Sequence, residues 1–216
     1  MPETIAQSLT MKKVSDRFRE EILLTMNFRG QETLVVKKGR ILDVLRFLRD
    51  DPELQYNFLM DIGGVDYLYY PDETLRKFGR FGVVYQLYSQ KFNARFRVKA
   101  MVPESDLTID SAYPLWKIAN WTERELYDMF GLTFKGHPDH RRILTSEGFT
   151  HFPLRKDYPV KGRGEREAFP KLERSWAPRV KPQDLFPKDA PLQPPRPRLP
   201  EDVRISEEKP EPTVKE

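Results

Sequence analysis

The chain has 216 residues, 38% apolar and 32% charged, and contains no cysteine, which excludes disulfides, thiol nucleophiles and cysteine-held zinc or iron–sulfur centres. Its 37 basic residues are interleaved with 33 acidic ones, so the net charge of +4 describes a mixed solvated surface better than a nucleic-acid groove. No run approaches the roughly 20 apolar residues that span a bilayer, and the opening stretch MPETIAQSLTMKK lacks the apolar segment of a secretory signal.

In chain order, Asp16–Glu20 reads as a short helical piece. Glu21–Phe28 alternates, with Ile22, Leu24, Met26 and Phe28 on one face, and Arg29-Gly30 turns the chain into the extended run Thr33–Val36. A hairpin results, although Glu20–Thr25 also fits a helix. Ile41, Leu42, Val44, Leu45, Phe47 and Leu48 recur at helical spacing and predict an amphipathic helix ending near Asp50-Asp51-Pro52. Gly63-Gly64 predicts a break, followed by a strand over Val65–Tyr70. Phe81–Tyr88 and Arg95–Val102 both alternate and form an antiparallel hairpin across Gln90–Ala94. The second of these strands has an oily face (Phe96, Val98, Ala100, Val102) and a basic one (Arg95, Arg97, Lys99).

Trp121–Gly131, WTERELYDMFG, carries the densest local signal. Thr122 and Glu125 stand in capping-box relation, Trp121 and Leu126 at the two positions of a hydrophobic staple, and Gly131 is a left-handed stop. Glu123 and Glu125 then fall in the first turn, and Arg124 pairs with Asp128 one turn on. The expected helix is Glu123–Phe130.

Eleven of the 19 prolines lie between Pro170 and Pro212, among isolated apolar residues such as Phe169, Trp176 and Phe186. Such a segment cannot repay its ordering entropy alone. The fold class is therefore α+β: a mixed, largely antiparallel sheet with hairpins packed by a few helices over residues 1–160. A long extended proline-rich tail, 161–216, is laid along a partner or disordered.

The histidines His137, His140 and His151 lie within fifteen residues and would give a three-imidazole metal set, but Gly136-His137-Pro138-Asp139 is a turn sequence, and turn or interface histidines are the simpler account. Glu123, Glu125 and Asp128 invite an acid/base reading, yet capping and dipole roles account for them. No dinucleotide or phosphate-loop glycine pattern and no nucleophile elbow occurs. Arg95, Arg97 and Lys99 either meet phosphates or form a solvated outer face, the commoner case. Trp121–Pro159 balances six Lys/Arg against six Asp/Glu, which suits a charge-paired protein interface.

The runs Glu123–Gly131 (ERELYDMFG), Phe134–Asp139 (FKGHPD), Arg142-Ile143-Leu144 and Pro153–Pro159 (PLRKDYP), in this order, resemble the signature of the thirty-kilodalton subunit family of respiratory complex I. Upstream, Phe58–Asp61 and Val65–Leu68 are similar to that family's N-terminal pattern, so the resemblance covers about Phe18–Pro159. His140 departs from it, since the family more often has leucine there, and the tail lies outside it. The resemblance implies a non-catalytic structural subunit in the quinone module of a proton-pumping NADH:quinone oxidoreductase, peripheral on the cytoplasmic side of the bacterial membrane. Implied partners are the forty-nine-kilodalton-type subunit, the subunit with the terminal iron–sulfur cluster and the ferredoxin-like subunit. No cofactor is implied for this chain, the iron–sulfur clusters and flavin belonging to partner subunits. The motif residues Glu123, Arg124, Glu125, Asp128, His137, Arg142, Arg155, Lys156 and Asp157 are then candidates for the interface. The rival readings are the equivalent subunit of a membrane-bound hydrogenase or other-donor complex, a stand-alone histidine metalloenzyme, and a basic RNA-binding protein.

Overall fold

In the computed structural model, which describes residues 8–71, 73–146 and 148–163, helix α1 (Leu9–Phe18) starts at Ser8. The Ser8 Oγ accepts the Met11 N–H at 3.2 Å, an N-cap, while the Ser8 N–H and hydroxyl both bond the Glu32 carboxylate. Met11, Val14 and Phe18 are buried at helical spacing. The cap and this stripe place the helix upstream of the expected piece at Asp16–Glu20, and Arg19–Glu21 follows as one 3₁₀ turn.

Strands β1 (Ile22–Phe28) and β2 (Gln31–Lys37) form the expected hairpin. Its two-residue turn needs positive φ at both positions, met by Arg29 at 53° and Gly30 at 76°. A register shift between Ile22 and Leu24 breaks the single apolar face read from the sequence. Ile22 packs on the main core, whereas Leu24 and Met26 pack on the other side of the sheet. Helix α2 (Ile41–Asp50) buries Ile41, Val44, Leu45 and Leu48, as its periodicity predicts.

Strands β3 (Phe58–Asp66), β4 (Phe81–Ser89) and β5 (Ala94–Val102) complete a five-stranded sheet of order β1-β2-β5-β4-β3. β2 and β5 are parallel and the other pairs antiparallel, so the sheet is mixed and largely antiparallel. Strand β3 runs through Gly63-Gly64 rather than starting after them, because β4 pairs with it from Phe58 to Asp66. Tyr67–Tyr70, expected as strand, instead leaves the sheet through a turn closed by Tyr70 N–H to the Tyr67 carbonyl at 3.0 Å.

The two sides of the sheet are covered unequally. One carries the main core, where α1, α2 and α4 (Ala119–Phe130) lie on residues such as Val83, Tyr85, Phe96 and Val98. On the other, Tyr67, Leu75 of the short helix α3 (Glu73–Arg76) and Phe78 cover Val35 and Met101. The parallel pair β6 (Thr108–Asp110) and β7 (Thr133–Lys135) flanks α4. Among the described residues no helix is long and apolar enough to cross a membrane. The tail lies outside the described residues from 164 onward.

Gly64 sets the approach of α4 to β3. A Cβ there would fall 2.5 Å from Phe130 Cε2 and 2.7 Å from its Cδ2, inside van der Waals contact with a buried ring. Gly64→Ala is expected to cost about 1–3 kcal/mol of unfolding free energy, read by urea denaturation. Phe130→Leu in the same chain should recover part of that loss, because the two sites share one contact; additive losses would show that the ring does not set the spacing.

Candidate functional site

Helix α4 begins at Ala119, four residues before the expected start, with Ile118 at its cap and no side-chain cap bond. Trp116 fixes the approach by donating its indole N–H to the Asn57 carbonyl at 3.0 Å, and buried Ala119 continues the apolar stripe. Thr122 therefore lies inside the helix, its hydroxyl on the Ala119 carbonyl at 3.5 Å, so the capping box does not form. Trp121 is 59% exposed and makes no staple with buried Leu126. The stop is as expected: Gly131 has φ 78°, and its N–H reaches the Tyr127 carbonyl at 2.9 Å.

The two buried acids of α4 sit in opposite environments. Glu123 is fully buried, and its carboxylate accepts the Ser111 hydroxyl and the Ala112 N–H, each at 2.6 Å. Among the described residues no arginine or lysine pairs with it, and His137 Nε2 lies 4.0 Å away. That histidine accepts the Asp139 N–H on Nδ1 at 3.1 Å, which leaves Nε2 as the donor to the Asn120 carbonyl at 3.0 Å in the neutral ring. Burial dominates the two hydrogen bonds and raises the Glu123 carboxyl to about 7.

Asp128 is also fully buried but is surrounded by donors. Its Oδ2 accepts the N–H groups of Ile143, Leu144 and Thr145 at 3.0, 2.7 and 2.8 Å. Its Oδ1 accepts the Thr145 hydroxyl and the Arg142 guanidinium, the latter at 2.7 Å. Burial opposes ionisation, but these bonds from Thr145, Arg142 and Leu144 outweigh it and hold the carboxyl below the ordinary carboxylate range. The expected Arg124–Asp128 pair is thus replaced by Arg142–Asp128, a contact between α4 and the loop that follows β7. Arg124 turns to the carbonyls of Arg141 and Arg142, at 3.0 and 2.9 Å, and bridges the same loop.

The segment 153–159 closes the opposite end of α4. Leu154 N–H donates to the Met129 carbonyl at 3.1 Å, and Arg155 Nε to the Phe130 carbonyl at 2.7 Å, satisfying acceptors the last helical turn leaves open. Asp157 meets Arg80 at 2.6 Å. Arg80 also grips Asp66 through Nε and Nη2 at 3.2 and 3.0 Å, while Asp66 accepts the Lys156 N–H at 2.9 Å. Asp66 and Arg80 are hubs that sequence reasoning passed over. The available signal was Asp66 within Val65-Asp66-Tyr67-Leu68, an acid flanked by apolar residues on both sides.

The remaining histidines have different neighbours. His140 packs its ring 4.2 Å from Tyr127 and accepts the Phe134 N–H on Nε2 at 3.1 Å. His151 stacks beside Tyr158, 5.8 Å between centroids. Of the nine candidate interface residues, Glu123, Arg124, Asp128, His137 and Arg142 have polar groups bonded within the chain, and Arg155 its Nε. Glu125, Lys156 and Asp157 are exposed, Asp157 with its carboxylate on Arg80. Beside them stand exposed Ile118, Trp121, Leu144 (63%) and Leu154.

Asp128→Asn is expected to lower unfolding free energy by roughly 3–5 kcal/mol, since it strands the Arg142 charge in a closed loop; chemical denaturation measures this, and a loss under about 1 kcal/mol would contradict the hub role. Glu123 acts with the opposite sign. The folded chain binds its proton more tightly than the unfolded chain, where the ordinary value is 4.5, so its contribution declines as pH rises from about 4.5 through about 7. Glu123→Gln should flatten the stability difference between pH 5 and pH 8 by an amount on the order of 3 kcal/mol, and an unchanged profile would place the proton elsewhere.

The sequence profile described as "Respiratory-chain NADH dehydrogenase, 30 Kd subunit" matches residues 34–164. The chain is 49% identical over 150 residues to the C subunit of NADH-quinone oxidoreductase from Citrifermentans bemidjiense, covering 69% of this chain and 88% of that one. To the corresponding protein of Geobacter sulfurreducens it is 43% identical with the same coverage. Among solved structures, the trypsin-resistant fragment (1–134) of Nqo5 superposes with a TM-score of 0.52 at 34% identity, covering 61% of this chain and 99% of the fragment. A chain of the archaeal membrane-bound sulfane sulfur reductase gives 0.56 at 22% identity, covering 76% and 91%, a likeness of fold alone. The matched profile spans β2 through the 153–159 segment, with the α4 hubs inside it, and the chain therefore belongs to the thirty-kilodalton subunit family of respiratory-chain NADH dehydrogenase.

Proposed function

We propose that this chain is a non-catalytic structural subunit of the quinone module in the peripheral arm of a proton-pumping NADH:quinone oxidoreductase. It holds the forty-nine-kilodalton-type subunit, the terminal iron–sulfur subunit and the ferredoxin-like subunit together, peripheral on the cytoplasmic face of the membrane. One observation carries this reading: most charges of the signature motif are spent inside the chain on building a rigid ledge, and what the ledge presents outward is largely apolar. Ile118 at the cap and Trp121 in the first turn of α4 lie three residues apart, and Leu144 and Leu154 flank its C-terminal half, each with its backbone N–H bonded to α4. Aromatic and aliphatic residues with a sparse set of charges, here Glu125 and Lys156, have the composition of an interface core with its rim.

The same ledge accounts for the chemistry assigned elsewhere. A chain without cysteine has no thiolates for iron–sulfur ligation, so in this reading the clusters and the flavin sit in partner subunits. Glu123 and Asp128 face Ser111, Ala112 and the 143–145 loop rather than an open cleft, which suits support better than acid/base work. NADH is favoured as the donor by the NADH-quinone oxidoreductase relatives at 43–49% identity.

Tagged chain recovered from gently solubilised membranes is expected to bring the forty-nine-kilodalton-type and iron–sulfur subunits with NADH:quinone activity; the same partners without NADH oxidation would indicate an other-donor complex. Trp121→Glu and Leu154→Glu should each lower the yield of assembled complex by about tenfold or more, as for buried interface anchors. Their melting temperatures should stay within about 2 °C of the parent, as for exposed sites. Full assembly of both variants would remove the ledge from the interface.

A further inference from the structure

Among the described residues, the side of the sheet away from α4 is only half covered. Register defines the open half. Thr33, Arg97, Gln86 and Asp61 follow one another across β2, β5, β4 and β3, and Arg95 pairs with Tyr88 and Phe28 with Gln31 toward the strand ends beside them. Phe58 pairs with Tyr88 at the far edge. Phe28 is 69% exposed at one end and Phe58 47% at the other, with Met60 exposed beside it. Between them lies a concavity of about 310 Å³ whose lining includes Met60, Asp61, Gln86, Arg95 and Arg97.

Among the described residues, the charge of this surface is largely uncompensated. The Arg97 guanidinium is held by two neutral amide oxygens, Gln86 Oε1 at 3.2 Å and Gln31 Oε1 at 3.0 Å. Among the described residues, the ion pairs all form at other cations, and Arg95 is exposed. Lys99 adds a third positive group at the border with the covered half, where its ammonium lies 3.5 Å from the Tyr67 hydroxyl. Of the two acids lining the concavity, Glu32 is engaged by Ser8, leaving Asp61 alone against these cations. A sheet face of apolar ends around fixed guanidinium groups is incomplete without a covering layer.

We propose that this open half-face is a second docking surface, which takes an acidic amphipathic helix from another polypeptide. The helix lays its apolar side on Phe28, Phe58 and Met60 and brings carboxylates to Arg95 and Arg97. Five strands at about 4.8 Å spacing set Phe28 and Phe58 roughly 19 Å apart, a span matched by about three to four turns of helix. Arg97, already oriented by its two amides, loses little freedom on meeting a carboxylate in fork geometry. The argument is independent of the role given to α4, which lies on the other side of the sheet.

The test places the photo-crosslinker p-benzoylphenylalanine at Phe58 of the full chain in cells that assemble the complex, followed by irradiation, digestion and peptide sequencing. The expected product joins this chain to a different polypeptide, at a segment with at least two Asp or Glu within one helical turn of the attachment point. Arg95→Glu should cut that yield by about tenfold or more, and Arg95→Lys should retain most of it. A product with a second copy of this chain, a product on a segment without acids, no product, or a yield untouched by Arg95→Glu would each overturn the proposal.

Discussion

The contact between the Phe130 ring and the bare α-carbon of Gly64 sets the height of α4 above the sheet, and the rest of the signature region is built from that height. At this distance the last turn of α4 stands over the end of β3, where Asp66 waits for Arg80. The segment 153–159 can then reach both at once, with Arg155 on the Phe130 carbonyl and the Lys156 N–H on Asp66. A larger residue at position 64 would lift the helix from all these partners together, because close-packed interiors transmit displacement rather than absorb it.

Within that frame, two acids of one helix do different work. Asp128 is flooded with donors, so its charge is stabilised and organises a loop that has no regular structure of its own. Glu123, five residues earlier, has two donors and no cation bonded to it, so burial prevails and the proton binds more tightly. Identical surface charges in the sequence thus become a fixed anion and a titrating group. Their surroundings come from segments 11 to 17 residues away, which helix-local reasoning about caps and one-turn pairs does not see.

This use of charge bears on how the subunit serves an assembly. Ion pairs at an interface rim are screened and contribute little, whereas charges closed inside a subunit hold shape without a partner. Arg124, Arg142 and Arg155 are of the second kind, so under the proposed role partners would meet a preformed and largely apolar surface. Preformed surfaces lose less entropy on association than surfaces that order on contact.

The sequence by itself determined the elements whose physics is local. The β1–β2 turn follows from Arg29-Gly30, α2 from its apolar period, the β4–β5 hairpin from alternation, and the end of α4 from Gly131. The ordered motifs also identified the family, since two long matches in register carry more information than any single residue. Tertiary structure alone decided the start of α4, the passage of β3 through its glycines, and the partners of every charge in the motif. Those outcomes depend on what a residue meets across the fold, as with Trp116 on Asn57, Arg142 on Asp128 and Arg80 on Asp66. A sequence gives neighbours along the chain, and the free energy of a buried charge is set by neighbours in space.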